Sequence, residues 1–196
     1  MYGMVNRAIK DYLITRYGNT LWETVLQHSQ ATEESFLSMS QYPDELTVSL
    51  LVEAAKATDQ DIEKTLQDVG EFWVEFALNS NYGALLRATG NTIREVLENL
   101  DNLHSRLVSA FPELTPPSFW CSDTRHPNTR QPDSEYLEAL ELHYFSQREG
   151  LSNFVIGLVS GIAKMCNEDC RVTLLRNRKD LTDHDTFLVE YSTSNQ

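Results

Sequence analysis

The chain is poor in cysteine and in positive charge, and it has no long apolar run. Cys121, Cys166 and Cys170 are the only 3 cysteines among 196 residues. So sparse and odd a set excludes a disulfide framework and suits a reducing compartment. Cys166 and Cys170 are close enough to share a metal, but no further Cys or His nearby completes a tetrahedral site. Nowhere do about 20 apolar residues run together, so no membrane-spanning helix is expected. Arg7, Lys10 and Asp11 interrupt the apolar positions near the N-terminus, which breaks a signal-peptide core and points to a cytoplasmic protein. Lys and Arg number 16 against 29 Asp and Glu, a net charge of −13. That imbalance disfavours nucleic acid and anionic membranes as partners. Solubility accounts for it, and a partner protein with a basic face stays compatible with it.

What is present is a globular composition, 41% hydrophobic and 23% charged, arranged as helices first and strands later. Tyr2, Val5, Ile9, Tyr12 and Leu13 recur at helical spacing before Gly18. A second short helix is expected over Leu21 to His28, and a third opens at Pro43-Asp44 and runs through Ala57. Thr58 and Asp61 resemble a box-like start for a fourth, with Ile62, Leu66, Val69, Trp73 and Phe76 as its apolar stripe. The clearest helix covers Asn91 to Phe111: Thr92 and Glu95 make a capping box, and Pro112 ends it. Its apolar face carries Ile93, Val96, Leu97, Leu100, Leu103, Leu107 and Val108.

After Pro116-Pro117 the character changes. Ser122 to Ser134 reads as a loop. Leu137 to Ser146 alternates like a strand, Leu151 to Met165 reads as a buried helix with Gly157 and Gly161 allowing close approach, and Arg171 to Leu175 and Thr186 to Tyr191 read as strands around a charged turn from Asn177 to Asp183. The expected fold class is α+β: a helical N-terminal half, then a small antiparallel sheet of about four strands with a packed helix.

His104 follows Leu103 and precedes Leu107 by three, which puts an imidazole on the apolar face of the best helix. Three readings are open: a core histidine bonded to a backbone carbonyl, a catalytic base, and an axial ligand to haem iron. Haem is an apolar disc with two carboxylates at one edge, so the last reading needs an apolar slot and a cationic rim. On a strand, positions i, i+2 and i+4 face one way, so Tyr144, Ser146 and Arg148 would present a phenol, a hydroxyl and a guanidinium along about 13 Å. Arginine pairs bidentately with carboxylates. Taken alone, the pattern also fits a plain surface strand.

Met1-Tyr2-Gly3, Leu100-Asp101-Asn102-Leu103-His104, Pro116-Pro117 and Tyr144-x-Ser146-x-Arg148-x-Gly150-Leu151 together resemble the H-NOX family. These are haem–nitric oxide/oxygen binding domains of bacteria and of the soluble guanylate cyclase β subunit. The resemblance runs in order along essentially the whole chain. It implies one domain over residues 1–196, with a helical distal subregion (1–65), an anchoring-helix-plus-sheet subregion (66–196), and haem b (iron protoporphyrin IX) between the halves. His104 would be the proximal iron ligand, Tyr144, Ser146 and Arg148 would hold the propionates, and Pro117 would press on the porphyrin. With no cyclase, kinase or chemoreceptor segment after the last strand, a stand-alone bacterial type is expected. Such a protein signals to a separate histidine kinase or diguanylate cyclase. Some members carry a zinc site of cysteines and histidines near the C-terminus; here His184 is followed by Asp185, and no zinc is expected.

The resemblance also bears on the gas. Oxygen-binding relatives hold dioxygen with a distal tyrosine on the helix after the propionate motif. The matching place here is near Phe154, between Asn153 and Val155, and no tyrosine lies between Leu151 and Met165. The other distal wall is expected from Met4 or Val5 and from Trp73, Val74 and Ala77. NO and CO binding with poor retention of oxygen is therefore expected, with the Trp73 indole N–H and the Asn153 amide as the two possible donors. The alternatives are an oxygen-binding member of the family, a haem enzyme of peroxidase type, and a haem-free regulatory module.

Overall fold

The computed structural model describes residues 1–29, 31, 36–38, 40–124, 138–179 and 182–192. Its element order is α1 (Gly3–Tyr17), α2 (Asn19–His28), α3 (Asp44–Ala57), α4 (Ile62–Leu78), α5 (Gly83–Arg87), α6 (Ile93–Ala110), β1 (Ser118–Asp123), β2 (Glu138–Phe145), α7 (Ser152–Cys166), β3 (Asp169–Arg176) and β4 (Asp185–Ser192). The strands form one antiparallel sheet in the order β1-β2-β4-β3. This is the α+β arrangement expected from the patterning.

Two apolar clusters form. One lies among the first helices, around Ile9, Leu13, Trp22, Leu50, Val69 and Phe72. The other lies between the sheet and α6 and α7, around Leu97, Leu100, Leu140, Leu142, Val159 and Phe187. α4 feeds both: Leu66, Val69 and Phe72 join the helical cluster, while Val74, Ala77 and Leu78 join the sheet cluster. Glycines let α4 meet α7 backbone to backbone. A Cβ on Gly70 would lie 2.2 Å from the Phe154 carbonyl oxygen, and one on Gly157 only 1.9 Å from that of Gln67. Any side chain at either position would hold the helices apart.

Several sequence expectations need correction. Ser122 and Asp123 are not loop but the end of β1, an unexpected strand that pairs along the outer edge of β2. Ser118-Phe119-Trp120-Cys121-Ser122-Asp123 lacks clean alternation in exposure, and its pairing energy comes from a partner far along the chain. Thr124 lies outside the strand, as expected for loop; residues 125–137, which hold the remainder of that expected loop and Leu137, lie outside the described residues, as do 180 and 181 in the charged turn. Thr58 does not open α4: it caps α3, its hydroxyl donating to the Ala54 carbonyl at 2.8 Å. The box at α6 is also displaced by one residue. Thr92 Oγ1 accepts from the Glu95 N–H, but Glu95 reaches back to the N–H of Asn91, at 2.8 Å. The short helix α5 was not expected.

Candidate functional site

Between the helical cluster and the sheet lies a mostly apolar cavity of about 1060 Å³, counted out to its open mouth. Helices α1, α3, α4, α6 and α7, the residues after α6, and the ends of β1 and β2 all contribute to its wall.

His104 stands on the wall. Its Nδ1 is 2.8 Å from the Pro117 carbonyl oxygen. A carbonyl only accepts, so Nδ1 carries the proton and donates, and the neutral ring presents the lone pair of Nε2. Burial pushes the His104 pKa below the ordinary histidine value; the bond to Pro117 and the charge of Asp101 act against it without reversing it. A histidine that ligates a metal must be neutral, with a lone pair free on the ligating nitrogen, and this imidazole is held so. One turn earlier on the same helix face, Asp101 Oδ1 accepts the Phe119 N–H at 3.0 Å. Two hydrogen bonds thus tie α6 to residues 117–119. Pro117 and Phe119 both line the cavity, and the Phe119 ring sits 5.8 Å from the His104 ring and 5.3 Å from that of Tyr144.

Tyr144, Ser146 and Arg148 all reach the cavity, but not as one strand face. β2 stops at Phe145, where it pairs with the first residue of β1. The Ser146 hydroxyl then accepts the N–H of Arg148 at 3.0 Å, a local bond that replaces the sheet ladder and bends the chain. The strand arithmetic for these three residues therefore fails, while their convergence on one rim holds. Burial raises the Tyr144 pKa, so its phenol stays protonated.

Arg148 Nε donates to Asp44 Oδ2 at 3.1 Å, and the other Asp44 oxygen accepts from the N-terminal ammonium of Met1. Burial alone would raise the Asp44 pKa, but the ammonium and Arg148 outweigh it and hold the carboxyl below its usual range. One cation at the rim is thus shared between the start of α3 and the end of the sheet.

Met4, Val5, Trp73 and Phe154 also line the cavity. Trp73 stacks on Phe76 at 5.8 Å and tilts against Phe154 at 6.4 Å. Ala77 and Val74 do not line the cavity; α4 turns them into the sheet cluster. Asn153 is also off the wall, its Oδ1 accepting from Gln67 Nε2 at 2.8 Å between α7 and α4. Sequence periodicity counts Tyr2 only among the apolar positions of the first helix and does not mark its part in the site. Its phenol donates to the Glu113 carbonyl at 2.7 Å and accepts from the Thr115 N–H at 2.9 Å, pinning the start of α1 to the cavity mouth. Nothing in local spacing marks a contact across 111 residues.

Comparison with known proteins agrees with this geometry. The haem-NO-binding family matches residues 2–174. The chain is 29% identical to soluble guanylate cyclase gcy-31 of Caenorhabditis elegans over 164 residues, 84% of this chain but 22% of that protein. It thus spans about a fifth of that relative's length. An H-NOX protein from S. oneidensis, solved in the Fe(II) ligation state as a triple variant, superposes with a TM-score of 0.84 at 14% identity, covering 100% of this chain and 98% of that one. The Fe(II) unliganded H-NOX protein from K. algicida superposes with a TM-score of 0.78 at 19% identity, covering 100% and 99%. Fold, cavity and family match converge: this chain belongs to the haem-NO-binding, or H-NOX, family of haem-based gas-sensing domains.

Proposed function

We propose that the cavity holds haem b, that His104 Nε2 would ligate its iron, and that the protein is a sensor of NO and CO rather than a catalyst. The observation that carries this reading is the His104–Pro117 hydrogen bond, which leaves the ligating nitrogen unprotonated in an apolar cavity rimmed by Arg148. The residues present suit the group: an apolar slot, one neutral imidazole, and a phenol, hydroxyl and guanidinium at one edge. Tyr144, Ser146 and Arg148 would hold the propionates, Pro117 and Phe119 would pack beneath the disc, and Met4, Val5, Trp73 and Phe154 would close the gas side. When bound, the iron supplies the coordination position for a diatomic gas.

His104 is then the tether through which α6 reports the state of the site. Because Asp101 and His104 tie α6 to residues 117–119, release of that tether is passed directly to the start of β1. The helical subregion, residues 1–65, would shift against residues 66–196, with Arg148 and Asp44 spanning the two. This makes a two-state element that a gas can bias. The output would go to a separate partner in the cytoplasm, a histidine kinase or a diguanylate cyclase. Among the described residues no helix is long and apolar enough to cross a membrane.

Peroxidase chemistry needs distal acid–base groups. Among the described residues, the wall made by Met4, Val5, Trp73 and Phe154 has only the Trp73 indole N–H as a polar group. That same wall offers dioxygen little, so NO and CO should bind and oxygen should be poorly retained. Visible spectra of the ferrous, NO, CO and aerobic forms test the reading. A stable oxygen complex in air would overturn the gas assignment, and failure to take up haem would overturn the haem reading. His104→Gly should act on the partner as the NO-bound protein does; behaviour like the gas-free wild type would refute the tether.

A further inference from the structure

The residues that follow β2 at the rim have no sheet ladder to hold them, yet they must present Ser146 and Arg148 to the cavity. Arg178, in the turn between β3 and β4, supplies what the ladder does not. Its Nη1 donates to the Ser146 carbonyl at 2.5 Å and lies 3.5 Å from the Arg148 carbonyl. Its own N–H donates to Asp185 Oδ1 at 2.7 Å. Asp185 is buried at the first position of β4, directly across from Tyr144 in the sheet register. Its second oxygen accepts from the Ser152 hydroxyl at 2.7 Å, at the start of α7. One carboxylate thus holds the Arg178 turn against the helix that carries Phe154 and Leu158 to the cavity.

We infer that Arg178 is a positioning residue for the anionic edge of the cavity, one that sets the bend presenting Ser146 and Arg148 to a ligand with two carboxylates. The inference rests on the haem reading above and deepens it. Charge supports the geometry. Arg148 is already shared with the Asp44 carboxylate, whereas the hydrogen bonds of the Arg178 guanidinium go to two carbonyls. A carbonyl cancels no charge, so the cation's field stays available at the rim. It is felt by the Tyr144 phenol, whose pKa it acts to lower against the larger effects of burial and of the Asp185 carboxylate.

The test compares wild type with Arg178→Ala, loaded with haem or with haem dimethyl ester, whose edge is uncharged. Release to a scavenging apoglobin is followed by absorbance. Removing charge-assisted hydrogen bonds behind the clamp should speed haem release about tenfold. Release of the ester should match wild type, because the ester makes no use of the clamp. Equal acceleration of both porphyrins would show a merely structural role and overturn the inference, as would unchanged haem release. In the haem-free protein the variant should also speed amide exchange at Arg148, whose N–H is held by the Ser146 hydroxyl. Unchanged exchange there overturns the positioning role whatever the haem does. A wild type that takes up neither porphyrin overturns the haem reading itself. If the alanine variant does not fold, Arg178→Gln carries the same comparison, since it removes the charge and should shift release in the same direction.

Discussion

The α4–α7 contact sets the width of the cavity, and Gly157→Ala puts that to the test. The added Cβ would stand 1.9 Å from the Gln67 carbonyl oxygen, with the Gln67 carbonyl carbon at 2.7 Å. Both are backbone atoms inside a helix, so no side chain can swing aside. Reaching ordinary contact requires the helices to part by about 1.5 Å. Overpacking typically costs about 1–3 kcal/mol, and a backbone-to-backbone clash belongs at the upper end, near 3 kcal/mol. For a chain of this size that is a fall in Tm of about 6–12 °C. Gly18→Ala is the control. Gly18 has φ of +88° and ψ of 167°, with nothing within 4 Å of a Cβ, so only backbone strain applies, about 1–3 kcal/mol, and no helix is displaced. Circular dichroism melts of the haem-free variants give the comparison. Because Phe154 and Leu158 line the cavity from α7, Gly157→Ala should also loosen ligand binding while Gly18→Ala should not. A Tm loss for Gly157→Ala no larger than for Gly18→Ala would refute the reasoning.

Asp101→Ala removes the acceptor of the Phe119 N–H; it should cost about 1 kcal/mol in urea unfolding, and the His104 environment should change with it. His104 makes a pH prediction with a definite sign. Its folded pKa lies below the unfolded value, so the unfolded state binds more protons in acid. The stability of haem-free wild type relative to His104→Gln should be constant above about pH 6.5 and fall as the pH drops below it. A difference that grows in acid would contradict a buried neutral ring. Asp44→Asn breaks the ion pair to Arg148, which is partly exposed. The expected loss is small, about 1 kcal/mol or less in a melt at low salt, and smaller still at high salt.

Some of the site could be read from local pattern. His104 belongs to α6, whose apolar repeat, Thr92 cap and terminal Pro112 are all encoded within a few turns. Trp73 and Phe154 lie on helices whose spacing is equally local. The expected clamp fared differently. Tyr144, Ser146 and Arg148 do converge, but through a bend made by the Ser146 hydroxyl and Arg178, which period-2 counting does not contain. Ala77 shows the same limit on a helix: it sits four residues after Trp73, yet the shared role of α4 in two clusters sends it to the sheet side.

By itself the sequence determined the order of helices before strands, the α+β class, the position of His104 and the absence of a tyrosine on α7. Each follows from spacing, capping and composition inside one segment, where the physics is local. The tertiary structure alone decided that β1 exists, that His104 donates to Pro117, that Asn153 faces Gln67 instead of the cavity, that Tyr2 pins the cavity mouth, and that Asp44 and Arg178 bond to Arg148 and Ser146 from behind it. Each of those depends on a partner brought near by chain folding, from 13 residues away for Pro117 to 111 for Tyr2. A hydrogen bond of that kind leaves no periodic trace in the sequence, because its energy depends on where two backbones meet and not on the spacing along either one.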